Sequence, residues 1–439
     1  MIKRRRFPKI FPGWGTVITA GFIAMWGHGY QSRGFSALFK PISSELGFSR
    51  AATSVPASIG RLEGGLEAPL VGWITDRFGP RLIVLSGVFL FGLSLILMNY
   101  VNSLWAFYVV WGLMLGTAVN IAATVPLNTA IANWFVKKRG LAQGIRQTIS
   151  GLSTVVVLPF VAWLIAIQGW RMACVMGGVI MWLVGLPLTW FFVKRHRPEY
   201  YGLLPDGATV EEETAETDRM IDRGVKYATE VEEVEFTLRQ AMRTPAYWIM
   251  LTAQSIHMAV APTISLHIIP FLTDIGIDPL RAVGMMAIMG LASIPARFAS
   301  GFFSDPLGRR HIRFLLGGAY FLQAAGIVIF MLNQTTATIY VWLFLFNAGM
   351  GAAWTIYALM TARYFGRKAY GSISGSTSLF MMPMGIAAPI YAGWVYDTTG
   401  SYMVVFTLFA ALLAFATIIM SLALPPKPPT QITDVRKIV

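Results

Sequence analysis

Apolar stretches of about 20 residues recur along the whole chain, separated by short polar connections. As a helix, that length spans ~30 Å of hydrocarbon. Twelve such stretches run near 13–39, 51–74, 81–99, 104–133, 140–166, 170–193, 244–272, 280–303, 312–332, 337–364, 370–395 and 401–424. Several are long enough to tilt or to project beyond the hydrocarbon. The segment 194–243 breaks the pattern. It opens with "KRHRPEYYG", continues through "EEETAETD" and has no core-forming apolar period, which predicts a polar linker with at most short surface helices. The expectation is an all-α membrane protein with twelve transmembrane helices: a six-helix bundle over 1–193, a cytoplasmic linker over 194–243, and a six-helix bundle with a polar tail over 244–439.

Composition strengthens that picture. A chain of 439 residues that is 55% hydrophobic and 13% charged, with a mean hydropathy of +0.60, does not describe a large soluble helical core. The net charge of +14 raises nucleic acid as a partner, so its location matters. Apart from Arg33, Lys40, Arg50, Arg61, Arg146, Arg171, Arg281 and Arg297, every Lys and Arg falls in the tails, the linker, or the connections after stretches two, four, eight and ten. This one-sided bias predicts a protein of the cell membrane with both termini cytoplasmic. Contact with anionic lipid follows from it, and nucleic acid is not required. The start "MIKRRRFPKIFPGW" leads into an apolar segment too long for a cleaved signal and reads as an uncleaved first span. Cys174 is the only cysteine, so one chain holds no disulfide and no Cys-based metal centre. Five scattered histidines without ligand spacing give no metal site. The absence of a nucleophile–base pair or phosphate loop argues against an enzyme or a cofactor. A functional monomer is expected.

The two halves repeat each other. "GWITDRFGPR" at 72–81 and "GFFSDPLGRR" at 301–310 share Gly72/Gly301, Asp76/Asp305, Gly79/Gly308 and Arg81/Arg310. "WFVKKRG" at 134–140 and "YFGRKAYG" at 364–371 correspond at nearly the same offset, which points to a duplicated six-helix unit. Gly72 and Gly301 allow close helix approach. Asp76 and Asp305 can pair across a helix junction, either as a tight charged turn or as a latch formed in one conformation. All eight residues are therefore expected to form one conformational motif, repeated in each half.

Polar residues inside the apolar stretches are the candidates for chemistry. Arg297 lies eight residues before Asp305, about 12 Å deeper at 1.5 Å per residue. A guanidinium at that depth costs at least ~3 kcal/mol and should face the interior or a wet cavity. Its planar fork matches a carboxylate, which makes Arg297 a substrate-binding candidate; the alternative is a structural ion pair with an acid of the second stretch. There Glu63 and Glu67 stand at i and i+4 on one helix face. They are either proton carriers or fixed partners of Arg61, Arg146 or Arg297, so Glu63, Glu67, Arg61 and Arg146 are the proton-coupling or gating candidates. Helical spacing sets Trp26, Tyr30 and Arg33 on one face of the first stretch and His28 nearly opposite. Tyr30 and Arg33 are therefore expected at the site, and His28 in packing. Stripes Thr117–Asn120–Thr124–Asn128 and Asn347–Trp354–Tyr357–Thr361 either line a path or bond between helices; Asn120, Trp354 and Tyr357 join the substrate-binding candidates. His257 has no assigned role.

The repeated motifs resemble the signature loop of the major facilitator superfamily, and the resemblance covers essentially the whole chain. It implies two six-helix bundles rocking about a central site. "GYQSRGFSALFKPISSELGFSRAATSVPASIG", "KKRGLAQGI", "HIIPFLTDIGI" and "ARFASGFFSD" are similar to the monocarboxylate porter and oxalate–formate exchanger branch, where Arg297 falls on that family's substrate-binding arginine. Two departures stand out. Ser293 occupies the place of the aspartate of proton-linked members, and Arg33 matches their helix-1 lysine across a one-residue gap. Span 370–395 lacks the lysine of the oxalate exchangers. The resemblance implies a secondary transporter of small monocarboxylates, lactate- or pyruvate-like, with protons as the coupling ion. Carboxylate exchange and a non-transporting membrane sensor are the alternatives.

Overall fold

The computed structural model describes residues 11–208 and 234–428, and among them every regular element is helical. Helix α1 (Gly13–His28) widens into a π-helical turn over Gly29–Gly34 and continues as α2 (Phe35–Leu46). α3 (Arg50–Phe78) and α4 (Pro80–Leu97) follow. α5 (Leu104–Phe107), a π turn over Tyr108–Met114, α6 (Leu115–Ala123) and α7 (Val125–Trp134) form one broken traverse. α8 (Arg139–Gly151), α9 (Ser153–Ile180) and α10 (Leu186–Phe192) complete the first half. The second half holds α11 (Leu238–Met242), α12 (Pro245–Asp274), α13 (Pro279–Ser304), α14 (Ile312–Leu332), α15 (Thr336–Phe365), α16 (Tyr370–Thr399) and α17 (Met403–Leu422).

Among the described residues, eight helical segments are long and apolar enough to cross a bilayer. One of them, Arg139–Phe192, reverses at Gly169, whose φ of 80° is a left-handed conformation that glycine adopts without strain. The remaining traverses of the twelve-helix plan are Gly13–Leu46, Arg50–Phe78 and Pro279–Ser304. These three carry Arg33, Glu63, Glu67 and Arg297.

Each half has its own apolar core. One runs from Val17 to Val193 around Phe91, Phe107 and Trp111; the other runs from Val234 to Ala423 around Tyr320, Phe330 and Trp342. Helices in lipid gain little from hydrophobic burial against one another, so association depends on close packing and polar contacts. The seam between the halves shows both. A Cβ on Gly72 would run into the carbonyl of Gly371, and one on Gly371 into that of Gly72. The repeat image of this contact joins Gly301 of α13 to Gly140 of α8. Helix α3 thus packs on α16, and α13 on α8.

The same ends are latched by charge. Asp76 accepts from the amides of Gly371 (2.9 Å) and Ser372 (2.7 Å) and from the Ser372 hydroxyl (2.6 Å). Asp305 accepts from the amides of Gly140 (2.6 Å) and Leu141 (2.8 Å), with Arg363 at 3.3 Å. Each carboxylate faces the first turn of a helix in the opposite half, where unpaired amides and the helix dipole favour negative charge.

The other four motif positions do not behave as two matched pairs, which corrects the expectation of one conformational motif. Gly79 turns the chain between α3 and α4 at φ 83°, and a Cβ there would run into the Arg195 carbonyl. Gly308 stands at the matching sequence position but is exposed, is not among the glycines with positive φ, and has open space where a Cβ would go. The cause is the longer connection that follows α13. Where Gly79 alone separates two helices, residues 305–311 lie between Ser304 and Ile312, so no single residue must make the reversal. Gly308 is therefore a match in sequence that the conformation does not require. The motif arginines are not part of the latch either: Arg81 lies over the Trp190 ring at 4.2 Å, and Arg310 is exposed.

The described ends of the 194–243 segment are pinned to both halves. Asp206, at φ 62°, accepts from the amides of Val136, Lys137 and Lys138 at 3.2, 2.8 and 2.9 Å. Buried Glu199 pairs with Arg367 at 3.1 Å, Arg197 pairs with Glu235 at 2.8 Å, and the Phe236 amide donates to Phe365 at 2.9 Å.

Candidate functional site

Arg297 projects from α13 between two glycines of neighbouring helices. A Cβ on Gly351 of α15 would stand 3.1 Å from its Cγ, and one on Gly151 of α8 3.6 Å from its Nε. The missing side chains leave a slot for the guanidinium. Nη1 reaches the carbonyl of Gln147 at 3.5 Å, at the outer limit of a hydrogen bond, and Nε has no partner. Among the described residues no carboxylate comes within ion-pair distance of it.

Its charged surroundings are cationic. Arg33 and Arg146 lie within electrostatic reach of Arg297, and His28 within reach of all three. Arg146 on α8 is buried; its Nη2 donates to Ala123 at 2.7 Å, and its Nε is unpartnered. Arg33 sits in the π turn with its side chain exposed. His28 is half-buried, its Nδ1 3.0 Å from the carbonyl of Ala24. Among the described residues no acid pairs with Arg146 or Arg297, which is costly for guanidinium groups in a low-dielectric interior. Exposed Arg33 adds positive charge beside them, and such an arrangement suits an anion.

The first helix departs from the expected placement. Tyr30 is fully buried, its hydroxyl donates to Ala173 at 3.0 Å, and its ring packs against Trp26 and Phe91. It belongs to the core of the first half, not to the cation cluster. Tyr30 and His28 do point apart as expected, but it is His28 that joins the cations. The cause is the π turn: an i→i+5 spacing brings Arg33 back over His28, whereas α-helical spacing would align it with Tyr30. The widened turn Gly29–Gly34 carries two glycines in "GYQSRG", a weak signal of the break in period.

The acids of α3 lie apart from the described arginines. Glu67 accepts from the Thr117 hydroxyl at 2.6 Å; its other oxygen and both oxygens of Glu63 are buried without partners. The expected fixed pair with Arg146 or Arg297 is not formed, because α6 stands between: Thr117 faces the acids and the Ala123 carbonyl holds Arg146. The side chain of Arg61 lies outside the described residues. Asn120 reaches the carbonyl of Gly60 at 3.4 Å and sits against Gly64.

The α6 stripe stops there. Thr124 is non-helical (φ −112°, ψ −88°) one residue before Val125–Pro126, and Asn128 instead accepts from Gln143 at 3.3 Å. On α15, Asn347 and Thr361 bond carbonyls of their own helix. Trp354 is half-buried and edge-on to His257 at 5.7 Å; Tyr357 is half-buried with an unpartnered hydroxyl. His257 is fully buried with neither ring nitrogen partnered. Among the described residues no cluster could hold a metal.

Two bundles latched by repeated carboxylates around a central set of cations define a membrane carrier. The Major Facilitator Superfamily model matches residues 19–389, and the chain belongs to that family. It is similar to the zebrafish (Danio rerio) protein named monocarboxylate transporter 12-B, at 24% identity over 94% of this chain and 87% of the relative. It is also similar to the oxalate:formate antiporter of Oxalobacter formigenes, at 25% identity over 61% of this chain and 58% of that one. Among solved structures, the human organic anion transporter MFSD10 superposes with a TM-score of 0.69 at 13% identity, over 94% of this chain and 100% of the other. That likeness establishes the fold. The chain is an integral membrane transporter of this superfamily.

Proposed function

We propose that the protein carries small monocarboxylates by alternating access, with Arg297 gripping the carboxylate. One observation carries the reading: a guanidinium in the interior has an unpartnered Nε and lacks an acid among the described residues, while Arg33 and Arg146 add positive charge beside it. An anionic cargo neutralises that cluster, and the planar fork orients it. Exposed Arg33 draws the anion inward, His28 borders the site, and Trp354 shapes the remainder. The relatives named for monocarboxylate and oxalate:formate transport support the same substrate class.

In this reading the protein lies in the cell membrane with its termini and its latched end cytoplasmic, as the distribution of Lys and Arg supports. The site then opens outward. Release of Asp76 and Asp305 from the opposite helices lets the halves rock and expose the cargo to the cytoplasm. A second reading, exchange of one carboxylate for another, is favoured by Arg146, whose unpartnered Nε offers a second cation for a dicarboxylate.

The test is uptake into proteoliposomes of labelled lactate, pyruvate, formate and oxalate, with the uncharged amides as competitors. Monocarboxylate uptake that the amides fail to inhibit supports the reading. Uptake of oxalate in strict exchange for internal formate favours the second reading, and transport of neither class refutes both.

A further inference from the structure

Glu63 and Glu67, one turn apart on α3, both face α6, at Gly116 and Thr117. Three of their four carboxyl oxygens are shielded from solvent and lack a hydrogen-bond partner; the fourth takes the Thr117 hydroxyl at 2.6 Å. Glu63 is 9% exposed, with one oxygen turned toward the Gly116 backbone, where the absence of a Cβ makes room for it. Two ionised carboxylates left this way would bear both desolvation and mutual repulsion.

Among the described side chains none forms an ion pair that relieves that cost, and those of Arg50 and Arg61, on α3 itself, lie outside the described residues. The described titratable groups on elements packed against α3 form no ion pair with either acid. On α2, Glu45 pairs with Arg171 at 3.0 Å, and Lys40 makes no ion pair with either acid. On α4, Arg81 covers Trp190. Tyr108 of the π turn packs edge-on to Trp105, and on α16 Tyr370 donates to Ala358. On α16, Tyr391 packs against Trp394 and Tyr396 stacks on Tyr402, and α7 carries no titratable side chain.

We infer that Glu63 and Glu67 together bind the proton that couples transport. This rests on the carboxylate reading above. Helix α6 links the two sites physically: Thr117 bonds Glu67, and Ala123, six residues on, bonds Arg146. That places the sites about 9 Å apart along one axis. At an effective dielectric near 20 and that separation, an anion arriving at the arginines raises the proton affinity of the pair by roughly twentyfold. The loaded form then carries one anion and one proton, with no net charge added to the interior. The proton enters from water on the open side and leaves when the other side opens.

The experiment imposes a pH gradient, acid outside, on proteoliposomes holding wild type, Glu63→Gln, Glu67→Gln or Thr117→Val. Accumulation of labelled lactate is compared with lactate counterflow at equal pH. One proton per anion converts each pH unit into a roughly tenfold concentration ratio. The wild type should accumulate accordingly, and the ratio of accumulation to counterflow should fall about tenfold in each Glu→Gln variant and less in Thr117→Val. Wild-type counterflow with accumulation indifferent to pH, or driven by a sodium gradient, overturns the proton site and leaves the carboxylate reading standing. Absence of lactate counterflow in the wild type overturns the carboxylate reading itself. Infrared spectra of the wild type test the site without relying on variant folding. A protonated-carboxyl band at neutral pH that the double variant lacks supports it, and no such band contradicts it.

Discussion

Asp76 reaches across the seam between the halves to the amide of Ser372, 2.7 Å away. Its repeat partner Asp305 does the same to Leu141 at 2.8 Å. The first repeated motif of each half thus meets the second repeated motif of the other. Both carboxylates combine charge-assisted hydrogen bonds with a helix N-terminus, so each contributes about 1–2 kcal/mol to the closed arrangement. Asp76→Asn should shift the equilibrium between closed and open motif ends by roughly tenfold. Cysteine accessibility at the seam measures it; unchanged accessibility would show that the latch is incidental.

Gly72 and Gly371 leave no space for a side chain on either helix. Gly72→Val should hold the seam apart, lowering counterflow while the purified protein keeps its helical content by circular dichroism. Normal transport by this variant would mean that the contact is not required.

The Glu199–Arg367 pair is almost fully buried, at 12% and 4% side-chain exposure. Removing the Glu199 charge takes a charge-assisted hydrogen bond from Arg367, which costs about 1–3 kcal/mol. Glu199→Gln should lower the melting temperature clearly, even though Arg367 keeps its hydrogen bond to the Asn133 carbonyl at 3.0 Å. A melting temperature equal to that of the wild type would place this contact outside the stabilising set.

Tyr30→Phe separates packing from binding. It deletes one buried hydrogen bond to Ala173, a loss of about 1 kcal/mol in stability. The KM for transport should not move. A large rise in KM would return Tyr30 to the binding site.

These residues also mark how far the sequence could be read. The membrane requires its helices to be long and apolar, and the pattern of Gly72–Arg81 recurs at Gly301–Arg310; the fold was therefore legible. The repeat overstated one position, because Gly79 carries a tight reversal and Gly308 lies in a longer, open connection. Arg297 was legible because a deep guanidinium is costly. The alignment of Arg33 with His28 was not, since a π turn over Gly29–Gly34 changes the angular step that a 3.6-residue period assumes. For Asn128 the bond between helices, one of the two expected roles, is the one formed, because the backbone breaks at Thr124, ahead of Pro126. Which loop each motif aspartate would meet is a long-range fact, and a local pattern does not contain it.

The most direct measurement of the central claim is lactate counterflow by Arg297→Lys in proteoliposomes. Lysine keeps the charge and loses the fork, so the account predicts a loss of about 100-fold. Counterflow at the wild-type rate would contradict it, because a guanidinium that lysine replaces freely does not grip a carboxylate.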